Sequence, residues 1–589
     1  MAALWLFTVT ILCCFPKLPL YIQAMPPPNP IKCNSSTNIC TLQNSYAVWG
    51  DRKECQVVQN SIIYPTNEEE LRLAVANANK KRLKVKVVTK FSHTIPKLAC
   101  PSNNNNNNSS LIISTERYDS IIDVDVENLS VTADAGVGLR AMIDRVAAFG
   151  LSLVASPYWE GVSVGGMIST GAHGSSWWGK GGSMHDHVIG MRLIVPAKQS
   201  QGYAQVVEVK GQDPLLRAAK VSLGVLGVIS KVTLSLERGF KRSVTYNFTN
   251  DDDFEHEFMD LAKRHEFADI QWYPSRHTVV YRNDDRVPIN TPGDGVNDFL
   301  GFQQNSVLVS QSLRATERSF ENSKSVKGKC ILASSFVGYK KTTANGLKNN
   351  NLIFTNYPVI GHQSKIQTSG SCLYSSPTRK DLTCPWDPRI KGLFFFETTS
   401  IIPAHKFPDF IRDIKTLLDL NPENFCGVDM YNGFLFRFVK SSDAYLGQSE
   451  DSIVVDFNYY RSDDPKTPRL NEDVWEEVEQ IAFFKYGGKP HWGKNRKVAF
   501  LGVDKKFGNN FNKFIEAKNL LDPQKMFSTE WSDEILFGSN NKFGDGCALE
   551  GECICSEDRH CNPVDGYFCR PGLVYDQARV CRYSIGIYH

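Results

Sequence analysis

From Tyr64 onward the apolar positions of the chain follow two alternating rhythms. In "YPTNEEELRLAVANANKK", Leu71, Leu73, Val75 and Ala78 lie on one helix that closes on lysines, and Thr66 with Glu69 forms a capping box at its start. "LKVKVVTKF" then alternates as a strand. "SLIISTERYDSIIDVDVENLSVTADAGV" reads as three short strands separated by polar turns. "GLRAMIDRVAAFG" sets Leu139, Met142, Ile143 and Val146 along one helical face between glycines. "MRLIVPA" and "VISKVTLSLE" are strands, with "PLLRAAKVSLG" as a helix between them. Beyond Glu237 the rhythm changes. Residues 240–400 mix the strands "SVTYNF", "HTVVYR" and "GLFFFETTSI" with polar connectors, and two amphipathic helices follow, "FPDFIRDIKTLLDL" and "EDVWEEVEQIAFF". The pattern predicts an α+β fold with two large domains. It contains neither an internal repeat nor a heptad run.

Composition narrows the partners. The 589 residues carry a formal charge of only +3, with 66 basic and 63 acidic side chains and no dense Lys/Arg block, so nothing points to a nucleic acid and a small molecule is expected. The apolar run Ala2–Phe15 is too short to span a bilayer and suits the core of a signal peptide over residues 1–24, which implies the secretory pathway and no stable membrane span after cleavage. Of sixteen cysteines, Cys13 and Cys14 would leave with that peptide, and the even remainder suits an oxidising compartment. Cys547, Cys553, Cys555, Cys561, Cys569 and Cys581 crowd into the tail, where three disulfides would staple a segment too poor in apolar residues to build a core. Zinc at His560 is the competing reading, but the C-x-C spacing at 553–555 has no matching C-x₂-C pair. Sequons at Asn34, Asn107, Asn108, Asn128 and Asn247 are open to glycosylation on a secreted chain.

Chemistry concentrates in the glycine-rich stretch 161–182. Its end, "GAHGSSWWGKGG", nearly spells a P-loop, but Gly181 stands where the Mg²⁺-binding hydroxyl belongs, and no strand-to-helix context surrounds it. No G-x-G-x-x-G follows a strand, so a Rossmann site is not supported. So many glycines, interleaved with the buried-looking Val162, Val164, Met167 and Ile168, suit a backbone that closely approaches a phosphate-rich ligand.

"SVGGMISTGAHGSSWWGKGGSMHDHVIGMRLIVPA", "ADAGVGLRAM" and "SLGVLGVISKVTL", behind "VKVVTKFSH", resemble the FAD-binding domain of the vanillyl-alcohol oxidase (p-cresol methylhydroxylase-type) flavoproteins. "KPHWGKN" and "LDPQKMFSTEW" are similar to the end of the aldonolactone oxidases of that family, in their plant-type form, and the likeness spans roughly residues 40–540. The resemblance implies an FAD-binding domain over 25–237, an α+β substrate-capping domain over 238–540, and a Cys-rich tail over 541–589 that the core family does not require.

By the same resemblance, Val88, Thr89, Lys90, Phe91, Ser92 and His93 form a first pyrophosphate loop. Gly165, Gly166, Ser169, Thr170, Gly171 and His173 meet the flavin, with amides and small residues against the pyrophosphate and the ring. The backbone of Gly227 and Ile229 meets the adenine side. Relatives that tether their flavin use a histidine in a G-G-H-S-like turn; here "TKFSHT" places Ser92 at that position with His93 beside it, so non-covalent FAD is expected. In "GFLFRFVK" Arg437 matches the arginine of the family's E-x-R pair, whereas Leu435 replaces its glutamate, which helps hold the polyol substrate in relatives. Lys494 is expected near the substrate hydroxyls and His491 beside the flavin. The implied reaction is FAD-dependent oxidation of an aldonolactone, L-gulono-1,4-lactone at its C2 hydroxyl toward ascorbate, with O₂ or another acceptor reoxidising the flavin. A sugar, alditol or oligosaccharide oxidase and a non-catalytic extracellular binding protein are the alternatives, and no metal is expected.

Overall fold

The computed structural model describes residues 29–42, 55–90, 96–101, 110–158, 160–297, 307–343, 346–349, 356–367, 395–430, 432–460, 464, 466–494, 496–538 and 543–584. Two of the small sheets of the first half hold a helix between them. Strands Ile62–Ile63, Ser110–Ser114 and Lys84–Val88 run parallel in that order. An antiparallel sheet follows in the order Ala204–Lys210, Val188–Pro196, Val228–Ser235, Ser130–Asp134, Ile122–Asp125. Helix Glu68–Lys80 buries Leu71, Val75 and Ala78 against Val85 and Ile113 on one side and Ile194 and Val228 on the other. Its cap lies one residue later than the sequence suggested. Asn67 is the N-cap, with Oδ1 accepting from Glu70 N–H at 2.9 Å, and Glu70 in turn accepts from Thr66 N–H at 2.7 Å. Asparagine competes well with threonine for this role, so the spacing left two solutions and the backbone took the other. Helices Leu139–Ala148 and Val164–Ser169 cover the second sheet with Met142, Ile143, Val146, Met167 and Ile168, all buried.

The second half is organised by one antiparallel sheet of eight strands, in the order Val359–His362, Lys241–Thr249, Thr278–Val287, Asp269–Tyr273, Phe434–Val439, Ser452–Tyr460, Phe395–Pro403, Lys489–Pro490. Alternation gives it two unlike faces. Ile270, Trp272, Val279, Phe434, Phe436, Phe438, Val455 and Phe457 join one apolar cluster with helices Phe254–Arg264, Phe407–Leu420 and Glu472–Gln480. Each such phenylalanine contributes about 1.5–3 kcal/mol by leaving water. The other face carries Asp269, Arg282, Asp284, Arg437 and Asp456, and it turns toward the first half of the molecule.

Two features lay outside the sequence reading. Helices Val307–Asn322 and Val326–Thr343 occupy a region read as strands and connectors. Their buried side is partly ionic rather than apolar: Arg314, Lys329 and Arg469 surround Glu317 and Glu321. The chain also returns to its beginning, since Trp492, Phe500, Phe511, Phe514 and Trp531 lie in the same core as Val131, Met142 and Leu193.

The tail is held by Cys547–Cys553, Cys555–Cys569 and Cys561–Cys581, so the sulfurs beside His560 are committed to disulfides. None of these bridges reaches the body of the protein. Attachment is both apolar and polar: Val574 and Tyr575 pack against the apolar cluster of the second half, and Glu477, fully buried on helix Glu472–Gln480, accepts from the N–H groups of Leu573 and Val574 at 2.7 Å and of Tyr575 at 3.0 Å. Among the described residues, Cys33–Cys40, Cys55–Cys100 and Cys330–Cys426 are also disulfide-bonded. Among the described residues no helix is long and apolar enough to cross a membrane.

Candidate functional site

Strand Phe434–Val439 places Arg437 on the polar face because its neighbours Phe436 and Phe438 take the apolar one. The guanidinium is buried and its Nη2 donates to Asp456 Oδ2 on the adjacent strand. Asp456 Oδ1 accepts from Thr399 Oγ1 at 2.5 Å. Burial alone would raise the Asp456 pKa, but Arg437, then Lys494 and the Thr399 hydroxyl, hold it below the usual carboxylate range. Burial likewise opposes the charge on Arg437, and Asp456 outweighs it. Arg437 also lies over the Tyr158 ring, 5.4 Å from the centroid, while Arg437 Nε is buried without a hydrogen-bond partner among the described residues.

The loop after strand Lys489–Pro490 brings His491 and Lys494 to the same place. Trp492 anchors it, stacked on Phe500 and Phe507 at 5.7 and 5.5 Å, with its indole N–H donating to Leu446 O at 3.0 Å. Gly493 N–H donates to His491 Nδ1 at 3.0 Å, which leaves the ring proton on Nε2. His173 faces it at 5.2 Å between ring centroids. Its Nδ1 lies 2.8 Å from the carbonyl of Gly174 and must donate there, so its Nε2 is a bare acceptor, buried and unpartnered among the described residues. Burial, then the charge of Arg437, pushes the His173 pKa down to about 3. His491 is pushed well below the usual range by burial, then by Lys494, His173 and Arg437. Two neutral imidazoles, one presenting an acceptor and the other a donor, therefore stand beside two cationic residues. Lys494 is buried.

The expected flavin-contacting stretch lies against this loop: a Cβ on Gly493 would stand 3.6 Å from Thr170 Cβ. Within the stretch the glycine amides are not held out for an anion. Gly165 N–H donates to Ala135 O at 2.8 Å, Gly166 N–H to Ser163 Oγ at 3.2 Å, and Gly171 N–H to Ile168 O at 3.2 Å. The hydroxyls of Ser169 and Thr170 both donate to Gly166 O. The amides of these three glycines are thus met within the protein. The glycines serve close packing instead, since a Cβ at Gly165 would come within 2.9 Å of Ala135 Cβ. Gly171 takes φ +71°. The group implied by the sequence still fits, because His173 Nε2 and Arg437 Nε, buried without a hydrogen-bond partner among the described residues, offer an acceptor and a donor to a bound group.

Gly227 (φ +152°) passes so near strand Val188–Pro196 that a Cβ would meet Ile194 O at 2.8 Å, and Ile229 follows in the strand paired with Leu193. Val88 is buried at the end of its strand, Thr89 follows it, and Lys90 donates to Asp119 at 2.5 Å. Phe91, Ser92 and His93 lie outside the described residues.

The P-loop-like segment serves as a seam. Ser176 N–H donates to Phe438 O at 2.8 Å, Phe438 N–H to Ser175 Oγ at 2.9 Å, and the Trp177 indole to Val439 O at 3.0 Å. Lys180 donates to Ser235 Oγ at 2.7 Å. Sequence reasoning missed the rest of the polar face. Tyr158 Oη donates to Asp269, Arg282 joins Asp269 (3.2 Å) and Asp284 (2.5 Å), and Arg242 forms a two-pronged pair with Asp284. The period-two spacing of Arg282 and Asp284 within an otherwise strand-like run was the available signal.

Known proteins bear on this arrangement. The sequence model of the FAD binding domain matches residues 60–198, that of D-arabinono-1,4-lactone oxidase matches 393–535, and that of the L-gulonolactone oxidase 2-like C-terminal domain matches 544–583. L-gulonolactone oxidase 3 of Arabidopsis thaliana is 61% identical over 565 residues, which cover 96% of this chain and 95% of the relative. Probable L-gulonolactone oxidase 6 of the same plant is 45% identical over 584 residues, covering 98% and 96%. Among solved structures, a cholesterol oxidase from Brevibacterium sterolicum shares the fold, with a TM-score of 0.61 and 14% identity over 88% of this chain and 99% of its own.

Proposed function

The chain belongs to the FAD-dependent L-gulonolactone oxidase family, and from that premise we propose that it oxidises the C2 hydroxyl of L-gulono-1,4-lactone toward L-ascorbate. It is an FAD-dependent oxidoreductase acting on CH–OH groups. The observation that carries the substrate reading is the convergence of Arg437, Lys494, His173 and His491 where the 489–494 loop seats on Thr170. FAD, when bound, supplies the hydride acceptor. The protein contributes the rest. Arg437 and Lys494 would hold the lactone's oxygens and offset the negative charge that the hydride acceptor gains, and the C2 hydroxyl proton would pass toward His173 Nε2, the bare acceptor of the site, as hydride leaves. His491 Nε2–H would donate a hydrogen bond that orients the bound groups. The seam of Ser175, Ser176 and Trp177 keeps water from the junction of the two sheets. O₂ or another acceptor restores the oxidised state. Mixing the purified protein anaerobically with L-gulono-1,4-lactone should bleach the flavin absorption; an unchanged spectrum would refute this reading. Leu435, apolar where relatives hold a glutamate, favours a second substrate class, sugars or alditols, which the same assay screens.

The flavin is held non-covalently in this proposal, so acid precipitation should leave it in the supernatant. The protein enters the secretory pathway: residues 1–24 suit a signal peptide, the six disulfides among the described residues suit an oxidising lumen, and the sequon residues Asn34, Asn128 and Asn247 are exposed. Endoglycosidase treatment of protein from the native tissue should increase its gel mobility.

A further inference from the structure

The departure at position 435 raises a physical question, because a buried guanidinium needs an anion and its own strand supplies none. In the ladder between strands Phe434–Val439 and Ser452–Tyr460, the residue directly opposite Leu435 is Asp456, while Arg437 stands opposite Val454. Directly opposed side chains share a face and lie about 5 Å apart at Cβ. The carboxylate of Asp456 thus projects beside the place a side chain at 435 would fill, on the same face as Arg437. We propose that Asp456 is the positioning carboxylate of this active site, supplied across the ladder in place of the one missing at Leu435, and that it fixes the guanidinium of Arg437 for substrate.

The bonding supports this assignment. Arg437 Nη2 donates to Asp456 Oδ2, and Thr399 Oγ1, from the strand on the far side, donates to Oδ1. Asp456 is therefore braced from both neighbouring strands and cannot swing. Both ions are more than nine-tenths buried, where an ion pair is retained only with good geometry and further hydrogen bonds. The pair occupies one corner of the guanidinium and leaves the Nε edge unmet among the described residues. That edge is the donor offered to a hydroxyl or ring oxygen of the lactone, and Leu435 leaves an apolar wall beside it. Asp456 also balances one of the two cations, Arg437 and Lys494, that face the neutral His173 and His491.

This assignment rests on the lactone-oxidising reading above, and the test separates the two. Asp456→Asn, Leu435→Glu and the double variant would be purified with FAD and compared with wild type for flavin content, melting temperature, kcat, KM and flavin midpoint potential. Asp456→Asn should retain flavin and lose about 100-fold in kcat, the scale of a misplaced site group. Adding Leu435→Glu to it should recover at least tenfold by returning an anion to the same face, whereas Leu435→Glu alone should gain nothing. Asp456→Asn within twofold of wild type would overturn the assignment. So would a double variant no more active than the single one, or one that regains only fold and flavin. If wild type itself leaves the flavin oxidised with every lactone, the activity reading fails. The midpoint potential then judges Asp456: loss of the anion should raise it and Leu435→Glu should bring it back, and no shift would overturn the assignment.

Discussion

Glu477 gives the sharpest quantitative prediction about the tail. Its carboxylate is fully buried, with Oε1 accepting from Val574 and Tyr575 and Oε2 from Leu573, and Gly572 closes the turn so tightly that a Cβ would stand 2.7 Å from Oε1. Glu477→Gln keeps the shape but presents an NH₂ group to one of these N–H donors. A hydrogen bond to a charged group is worth about 1.5–3 kcal/mol, so losing one and weakening two others costs about 3 kcal/mol. Because no disulfide joins the tail to the body, that cost falls on local opening of the tail rather than on global unfolding. At 1.4 kcal/mol per factor of ten, amide protection at 572–575 should drop about 100-fold. Hydrogen exchange followed by mass spectrometry reads this directly, with strand Val188–Pro196 as the internal control. Unchanged protection at 572–575 would refute the claim that the carboxylate holds the tail in place.

Lys494→Met should keep FAD bound and lower kcat with the lactone by roughly 100-fold, as for loss of a group that stabilises developing charge, measured by steady-state peroxide or dye reduction. Gly227→Ala combines φ +152° with a 2.8 Å approach to Ile194 O, so it should lower stability by at least about 2 kcal/mol in denaturant titrations. Burial lowers the Lys86 pKa from 10.5 to about 7, with its ammonium donating to Gly224 O and Phe527 O. The unfolded chain keeps that proton between the two values, so this group makes stability rise with pH across that window, by at most about 1.4 kcal/mol per unit. Lys86→Met should flatten the rise in urea midpoints between roughly pH 7 and 9.5, and equal slopes in both proteins would contradict it.

The legible parts of this chain were those with a short period. Helix Leu139–Ala148 and strands Lys241–Thr249 and Thr278–Val287 follow from spacing alone, whereas Arg437 was reached through the family resemblance and its strand was not predicted. The tail's three bridges followed from cysteine density, although only the fold selects one connectivity of the possible set. Asp456 and Tyr158 were not legible, because their roles depend on pairings between residues far apart in the chain: Asp456 with Arg437, and Tyr158 with Asp269. Helices Val307–Asn322 and Val326–Thr343 escaped because buried Arg314, Glu317 and Lys329 read as solvated charge until their partners are known. The glycines of 161–182 announced close approach correctly but not what was approached, which for Gly165 is Ala135 of the protein itself.

The return of Trp492, Phe511 and Trp531 into the core begun by Val131 and Met142 constrains how the chain comes into being. During synthesis the amino-terminal lobe emerges with an apolar floor that only the last sixth of the chain can roof, so it cannot mature as it leaves the ribosome and must wait, shielded, for the carboxyl-terminal helices. Separating the two stretches would bare the apolar faces of both to water, and ending the chain near residue 500 would strip Phe511, Phe514 and Trp531 from the core they share with Val131 and Met142.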